Sequence, residues 1–240
     1  MKKIPLSIDP NPVVEATVEL KFQSSLPRGA VFGVLYTKFQ QKYPISTALP
    51  ILNIPEDVRA SDPSFNFQAL YKLSNDKYDL QIGNDVISIH SNKGYVGWNN
   101  FSTELDMFFE TLTGSGVIQS PVSLVIRYLN FFPDMDIFPD IDVEVRMANS
   151  AFVSPNLLIR SEKEVEGLTE VLQITNNATL LSGPNTSFTG SLMDISVFEN
   201  KVEGLNNFKE TVEKLHTREK RIFFNLLKTR FVENLNPVYP

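Results

Sequence analysis

The chain has no cysteine among its 240 residues, so it holds no disulfide framework, thiolate nucleophile or cysteine-ligated zinc. Histidine is scarce too, with only His90 and His216, and Trp98 is the single tryptophan. No run approaches the roughly 18 consecutive apolar residues that a membrane helix needs, so no membrane partner is expected. Phosphate cradles are missing: there is no GxGxxG, no GxxxxGKS or GxxxxGKT, and no GxSxG. No cofactor is expected. Positive charge is in deficit, with 22 Lys and Arg against 28 Asp and Glu and a net charge of −6, which argues against nucleic acid as a main partner. The opening MKKIPLSIDPNP starts with two lysines but offers prolines and an aspartate where a signal peptide needs an apolar stretch. A cytoplasmic location is expected, and the sequons at Asn100, Asn177 and Asn185 are read as chance.

What is present is apolar and aromatic. The apolar fraction is 42% with 18 Phe, enough for a substantial core. VSLVIRYLNFF, from Val122 to Phe132, is dense in β-branched and aromatic residues and bracketed by Pro121 and Pro133, the pattern of one strand covered on both faces. Arg127 and Asn130 are set into it. A buried unpaired charge costs several kcal/mol, so Arg127 is expected to find a carboxylate or several carbonyls. VVEATVELKFQ, residues 13–23, alternates: Val14, Ala16, Val18, Leu20 and Phe22 face one way, Glu15, Thr17, Glu19 and Lys21 the other. Glu15 and Glu19 could form a carboxylate pair, but a structural role as partners of Arg127 is the simpler reading.

After a turn, Val31, Val34, Leu35 and Phe39 have helical spacing closed by Pro44, and an irregular proline-rich crossing is expected to about Phe65. FNFQALYKLS, KYDLQIG and VISIHSN are three meander strands joined by short polar turns. A helix follows, with Ser102 or Thr103 as its cap and Phe101, Leu105, Phe108, Phe109 and Leu112 as its buried stripe. Beyond the central strand, residues 142–149, 157–162, 169–177 and 187–200 are expected to be strands, and a long helix is expected from about Gly204 to about Phe231. The order predicts an α+β fold: antiparallel or mixed sheets with helices on one face, and a two-lobed pseudo-repeat sharing one core. Residues 1–240 form one domain on this reading, with lobes of about 1–133 and 134–240.

Candidate chemistry is thin. His90 lies on the polar face of its strand and His216 follows Leu215 on a charged helix; neither has a partner at a recognised spacing, so neither is expected to act as a base. DMDIFPDIDVE gathers Asp134, Asp136, Asp140, Asp142 and Glu144, but lacks the glycine and distal glutamate of a calcium loop and is read as an acidic connection; no metal site is expected. The basic residues Lys209, Lys214, Arg218, Lys220, Arg221, Lys228 and Arg230 are interleaved with Glu203, Glu210, Glu213 and Glu219 and read as a solvated helix face, with Glu210–Lys214 an i,i+4 pair.

These residues also carry a resemblance. PVVEATVELKF (Pro12–Phe22), YVGWNNF (Tyr95–Phe101), the R-Y-L-N strand (Arg127–Asn130), LMDI (Leu192–Ile195) and the helix positions Leu215, His216, Lys220 and Phe223 run in order across nearly the whole chain. The chain resembles a sporadically distributed prokaryotic family of uncharacterised proteins with a P-x-V-E strand, an R-Y-I/L-N strand and a C-terminal L-H-x-x-x-K helix. The resemblance implies no activity and no catalytic residues. It implies accessory or defence loci, and a packing role for His216 against Arg127 or Asp194.

The expected function is a non-enzymatic binding or regulatory protein whose partner is another protein or a second copy of itself. The alternative is a sensor or carrier of an anionic small molecule, with an inter-lobe pocket lined by Phe, Tyr and Trp98. The third reading is an enzyme working through Arg127, Asp194, Glu15 or Glu19, and His216. The binding candidates are therefore Arg127, Asn130, His216, Asp194, Glu15, Glu19 and Trp98.

Overall fold

The computed structural model describes residues 2–181, 186–205 and 207–240. The fold is α+β, a nine-stranded antiparallel sheet with helices packed against it. In chain order the strands are β1 (Val13–Gln23), β2 (Ile45–Ala48), β3 (Ala69–Ser74), β4 (Asp79–Gly83), β5 (Val86–Ser91), β6 (Ser120–Pro133), β7 (Arg146–Met147), β8 (Ser150–Ala151), β9 (Leu158–Val165), β10 (Leu168–Leu181) and β11 (Ser187–Glu199). The helices are α1 (Arg28–Phe39), α2 (Glu56–Ser61), α3 (Trp98–Thr113), α4 (Phe208–Leu226) and α5 (Thr229–Glu233). Strand order in the large sheet is β2-β3-β4-β5-β1-β6-β11-β10-β9, and β7 and β8 form a separate two-stranded ribbon.

The chain divides into two compact units. One comprises Glu15–Ile126 and Phe198–Leu215. In it the alternation of β1 is realised as expected: Ala16, Val18, Leu20 and Phe22 are fully buried, as are Leu80, Ile82, Ile87 and Ile89 of the meander. This apolar side is covered by α1, through Val31, Leu35 and Phe39, and by α3, through Phe101, Leu105, Phe108 and Leu112. Inside this core Tyr43 donates a short hydrogen bond to Glu104, which also meets Lys42 Nζ at 2.7 Å. Burial, reinforced by the Glu104 charge, pushes the Tyr43 hydroxyl well above the usual phenol range.

The other unit comprises Met1–Val14, Arg127–Val197 and His216–Pro240. Its core gathers Phe132, Ile174, Met193 and Ile195 from the strands with Phe223, Phe224 and Phe231 from the C-terminal helices and Leu227 from the link between them. Gly190 passes so close to β6 that a Cβ there would stand 2.2 Å from the Phe132 carbonyl oxygen. The N-terminal segment lies along the end of the chain, with Leu6 N–H donating to Val238 O at 2.6 Å and Asp9 N–H to Leu235 O at 2.8 Å.

Several boundaries differ from the sequence expectation. The crossing after Pro44 contains β2 and α2 as well as two short 3₁₀ turns. Helix α3 starts one turn earlier than expected: Gly97, at φ 82°, is its N-cap, and the Ser102 and Thr103 hydroxyls donate back to the Asn99 carbonyl inside the first turns. Residues 142–149 are not a strand of the sheet but run into a tight hairpin, since Ala148 and Asn149 both take positive φ between β7 and β8. The last helix stops at Leu226, because Leu227 bridges to Ile141 and Lys228 is extended before α5 begins.

Candidate functional site

In the unit built on β1 and α3, antiparallel pairing of β1 with β5 sets Thr17 opposite His90 and Glu19 opposite Ser88. Alternate residues of a strand share a face, so Glu15 and Thr17 are brought up beside Ser88 and His90. His90 Nδ1 lies 2.8 Å from Glu15 Oε1 and 3.1 Å from Thr17 Oγ1, and Thr17 donates to the same Glu15 oxygen at 3.0 Å. On the far side of the ring, Nε2 is 2.8 Å from Ser88 Oγ. A carboxylate oxygen can only accept, so Nδ1 is the ring nitrogen placed to donate to Glu15, and in the neutral ring Nε2 then accepts from the Ser88 hydroxyl. The expectation that His90 lacks partners is thereby corrected. Its carboxylate stands 75 residues away in sequence, and only strand register brings it near. Glu19 of the same face lies 3.8 Å from Lys21.

Also in this unit, Asp79 lies opposite His90 on β4 and receives Lys93 at 3.0 Å and Lys72 at 3.7 Å. Burial alone would raise its carboxyl, but hydrogen bonds from Ser74, Lys93 and Asn92 with the Lys72 charge outweigh it and hold the group low. Trp98 begins α3, and its indole donates to Glu213 at 3.2 Å beside Phe101, whose ring lies edge-on to it.

In the unit that carries β9–β11, Arg127 is held by Asp194 in a two-point grip, Nε to Oδ1 at 2.8 Å and Nη2 to Oδ2 at 2.6 Å. The side chain is 42% exposed, so its guanidinium reaches solvent while held by its carboxylate. Asn130 is buried and donates to the Met193 carbonyl at 3.3 Å, tying β6 to β11. His216, expected against Arg127 or Asp194, meets the Tyr128 hydroxyl instead, with Nδ1 at 3.1 Å. The reason is strand geometry, since Arg127 and Tyr128 are consecutive and point to opposite sides. Burial, with the Lys220 charge nearby, pulls the His216 imidazole down to about 3, so it is neutral at pH 7.

One turn further along α4, burial pushes the Glu219 carboxyl up to about 8, outweighing the Lys220 charge. Several basic residues of α4 and α5 find carboxylates: Lys214 bonds Glu199 rather than Glu210, Arg218 meets Glu170, and Arg230 meets Asp140. Of the acidic connection, Asp142 is paired with Lys2 at 2.7 Å.

Among the described residues, the concave features of this unit include two that bear on function. A cavity of about 540 Å³ runs between β9, β10 and α4, with Val171, Leu172, Ile222 and Leu226 as apolar lining and Lys163, Glu166, Glu170, Arg218 and Arg221 as its charges. Glu170 is 3% exposed and fixes two of those cations, taking Arg218 Nε on one oxygen and standing 3.0 Å from Lys163 Nζ with the other. A second groove, of about 200 Å³, is lined by Phe138, Pro139, Val143, Val145, Phe152 and Leu157, among others. Asn176 holds its wall: it accepts from Leu157 N–H at 2.9 Å and donates to Ser154 O at 2.8 Å and to Asp136 at 3.2 Å. Of its lining, Phe152 is 38% exposed and Val153 86%. The sequence reading missed this groove because it took residues 142–149 for a strand.

Asn185 lies outside the described residues. Among the described residues no helix is long and apolar enough to cross a membrane. A scan against protein-family models finds no match, and neither does a search of curated proteins.

Proposed function

We propose that this is a protein-binding module that engages its partner through the hairpin groove beside β7 and β8. One observation carries the reading: Phe152 and Val153 stand exposed side by side in the lining of an apolar groove. Strand addition at the sheet edge is a weaker route, because β9 carries Arg160, Glu162, Lys163 and Glu164, and charges on an edge discourage pairing. Asp136 and Glu144 also line the groove, so the partner surface it suits is an apolar segment with basic residues at its flanks. The test is a cross-linked pull-down from the native host with the wild-type chain and a Phe152→Ser/Val153→Asp variant as baits. A protein retained by the first and lost from the second supports the reading. Recovery of the same proteins by both, or of the bait alone, refutes it.

The larger cavity favours a second reading, an amphipathic anion with its apolar part on Leu172, Ile222 and Leu226. Lys163 and Arg218 are committed to Glu170, which leaves Arg221 to take the carboxylate or phosphate. A thermal-shift screen of acyl carboxylates and phosphate monoesters against wild type and Arg221→Ala tests it. A hit that disappears in the variant supports the reading, and an empty screen removes it.

A further inference from the structure

We propose that Ser88, His90 and Glu15 form a nucleophilic relay that hydrolyses short-chain acyl esters, an activity separate from partner binding and located in the other unit. A hydroxyl becomes a nucleophile when a base within hydrogen-bond reach takes its proton and a third group orients that base. All three relations are present: Ser88 Oγ to His90 Nε2 at 2.8 Å, His90 Nδ1 to Glu15 Oε1 at 2.8 Å, and Glu15 steadied by Thr17 at 3.0 Å. The members sit on two hydrogen-bonded strands, whose ladder fixes their spacing more firmly than loops would.

A developing oxyanion also needs a donor. Gln81 of β4 is paired directly with Ser88, and directly opposed residues have Cβ atoms about 4.5–5.5 Å apart, which makes its carboxamide the donor this proposal assigns to the oxyanion. The surroundings set the substrate class. Ser88 is only 4% exposed, between Glu19 on β1 and Gln81 on β4, so the acyl group that suits it is a small one.

The step balances without a cofactor. Ser88 Oγ bonds to the ester carbonyl carbon as its proton passes to His90 Nε2. The bond to the alcohol oxygen then breaks, and His90 returns the proton to that leaving group. Water attacks the acyl-serine by the same path, giving the carboxylic acid and restoring Ser88. Ser88 and His90 are the catalytic residues, and Glu15 is a positioning residue that holds the ring through Nδ1.

The experiment uses the full chain with p-nitrophenyl acetate as substrate and a fluorophosphonate as covalent probe, mapped by peptide mass spectrometry. The expected result is turnover with an initial burst, and probe attached to Ser88. Ser88→Ala should lose the burst and the label, and His90→Gln should slow turnover by about 10²–10⁴-fold. Gln81→Leu should slow it by about 10²-fold, the scale of one oxyanion donor. Glu15→Gln should lose activity that Glu15→Asp partly restores, a rescue that loss of packing alone would not show. The mapped label on wild type is informative even where a variant fails to fold. Absence of probe on Ser88, or turnover unchanged in Ser88→Ala, overturns the proposal.

Discussion

Helix α4 buries two titratable side chains whose equilibria are displaced in opposite directions, and together they should give the protein a flat-topped dependence of stability on pH. Glu219 is 5% exposed and its folded pKa is raised from 4.5 to about 8; His216 is 8% exposed and its folded pKa is lowered from 6.5 to about 3. Stability rises with pH wherever the unfolded chain binds more protons than the folded one. For Glu219 the folded state holds the extra proton between pH 4.5 and about 8, so its contribution is complete below 4.5 and is lost as pH rises to about 8. For His216 the unfolded state holds the extra proton between about 3 and 6.5, so its contribution is complete above 6.5 and is lost as pH falls to about 3. From 4.5 to 6.5 the two slopes cancel. From 6.5 to about 8 only the glutamate term remains, and stability should fall by about 1.4 kcal/mol per pH unit.

Each displacement taken whole is worth about 5 kcal/mol, an upper bound for groups this deeply buried. The assay is urea unfolding followed by far-UV circular dichroism between pH 4.5 and 8.5, with ΔG from linear extrapolation. This range avoids the acid region where low-pKa carboxylates such as Asp79 also titrate. Wild type should be level from 4.5 to 6.5 and then decline. Glu219→Gln should rise across 4.5–6.5 and stay level above it, becoming more stable than wild type at pH 8. His216→Asn should decline through the whole window. A wild-type profile level from 6.5 to 8.5, or a decline that survives in Glu219→Gln, would refute the reasoning.

Three further outcomes follow from single contacts. Gly190→Ala should cost about 2 kcal/mol or more, since its methyl would sit 2.2 Å from the Phe132 carbonyl oxygen and a backbone must move; the urea midpoint reads it. Tyr43→Phe should cost about 1–3 kcal/mol by removing the buried hydroxyl that serves Glu104, measured in the same way. Arg127→Ala should cost only about 1 kcal/mol in a thermal melt, because the pair with Asp194 is open to solvent, and Arg127→Lys should recover little of it, because an ammonium lacks the two-point fork.

The faces of individual strands were legible because alternation is a local property. β1 spans residues 13–23 as read, and its buried row is the apolar one. The meander and the amphipathic stripe of α3 were legible for the same reason. Boundaries set by a remote partner were not. Leu227 leaves its helix for a bridge to Ile141, and no residue near it signals the stop. Ala148 and Asn149 make a positive-φ turn without the glycine that would announce one, so a hairpin was taken for a strand.

The candidate sites divide along the same line. Whether a polar residue does chemistry depends on what stands opposite it, and that is decided by register between strands far apart in sequence. His90 looked partnerless because a search along the chain finds no carboxylate at a suitable spacing; β1 supplies one from position 15. Arg127 was read as needing a carboxylate or several carbonyls, because the requirement is energetic and does not depend on where the partner lies, and Asp194 meets it from β11. His216 was assigned to the wrong neighbours although it packs beside the right strand. A shift of one residue, from Arg127 to Tyr128, moves it from an exposed ion pair to a buried hydroxyl. A sequence states which groups must be satisfied and on which face they lie; which group satisfies them is a property of register, where an error of one position reverses the answer.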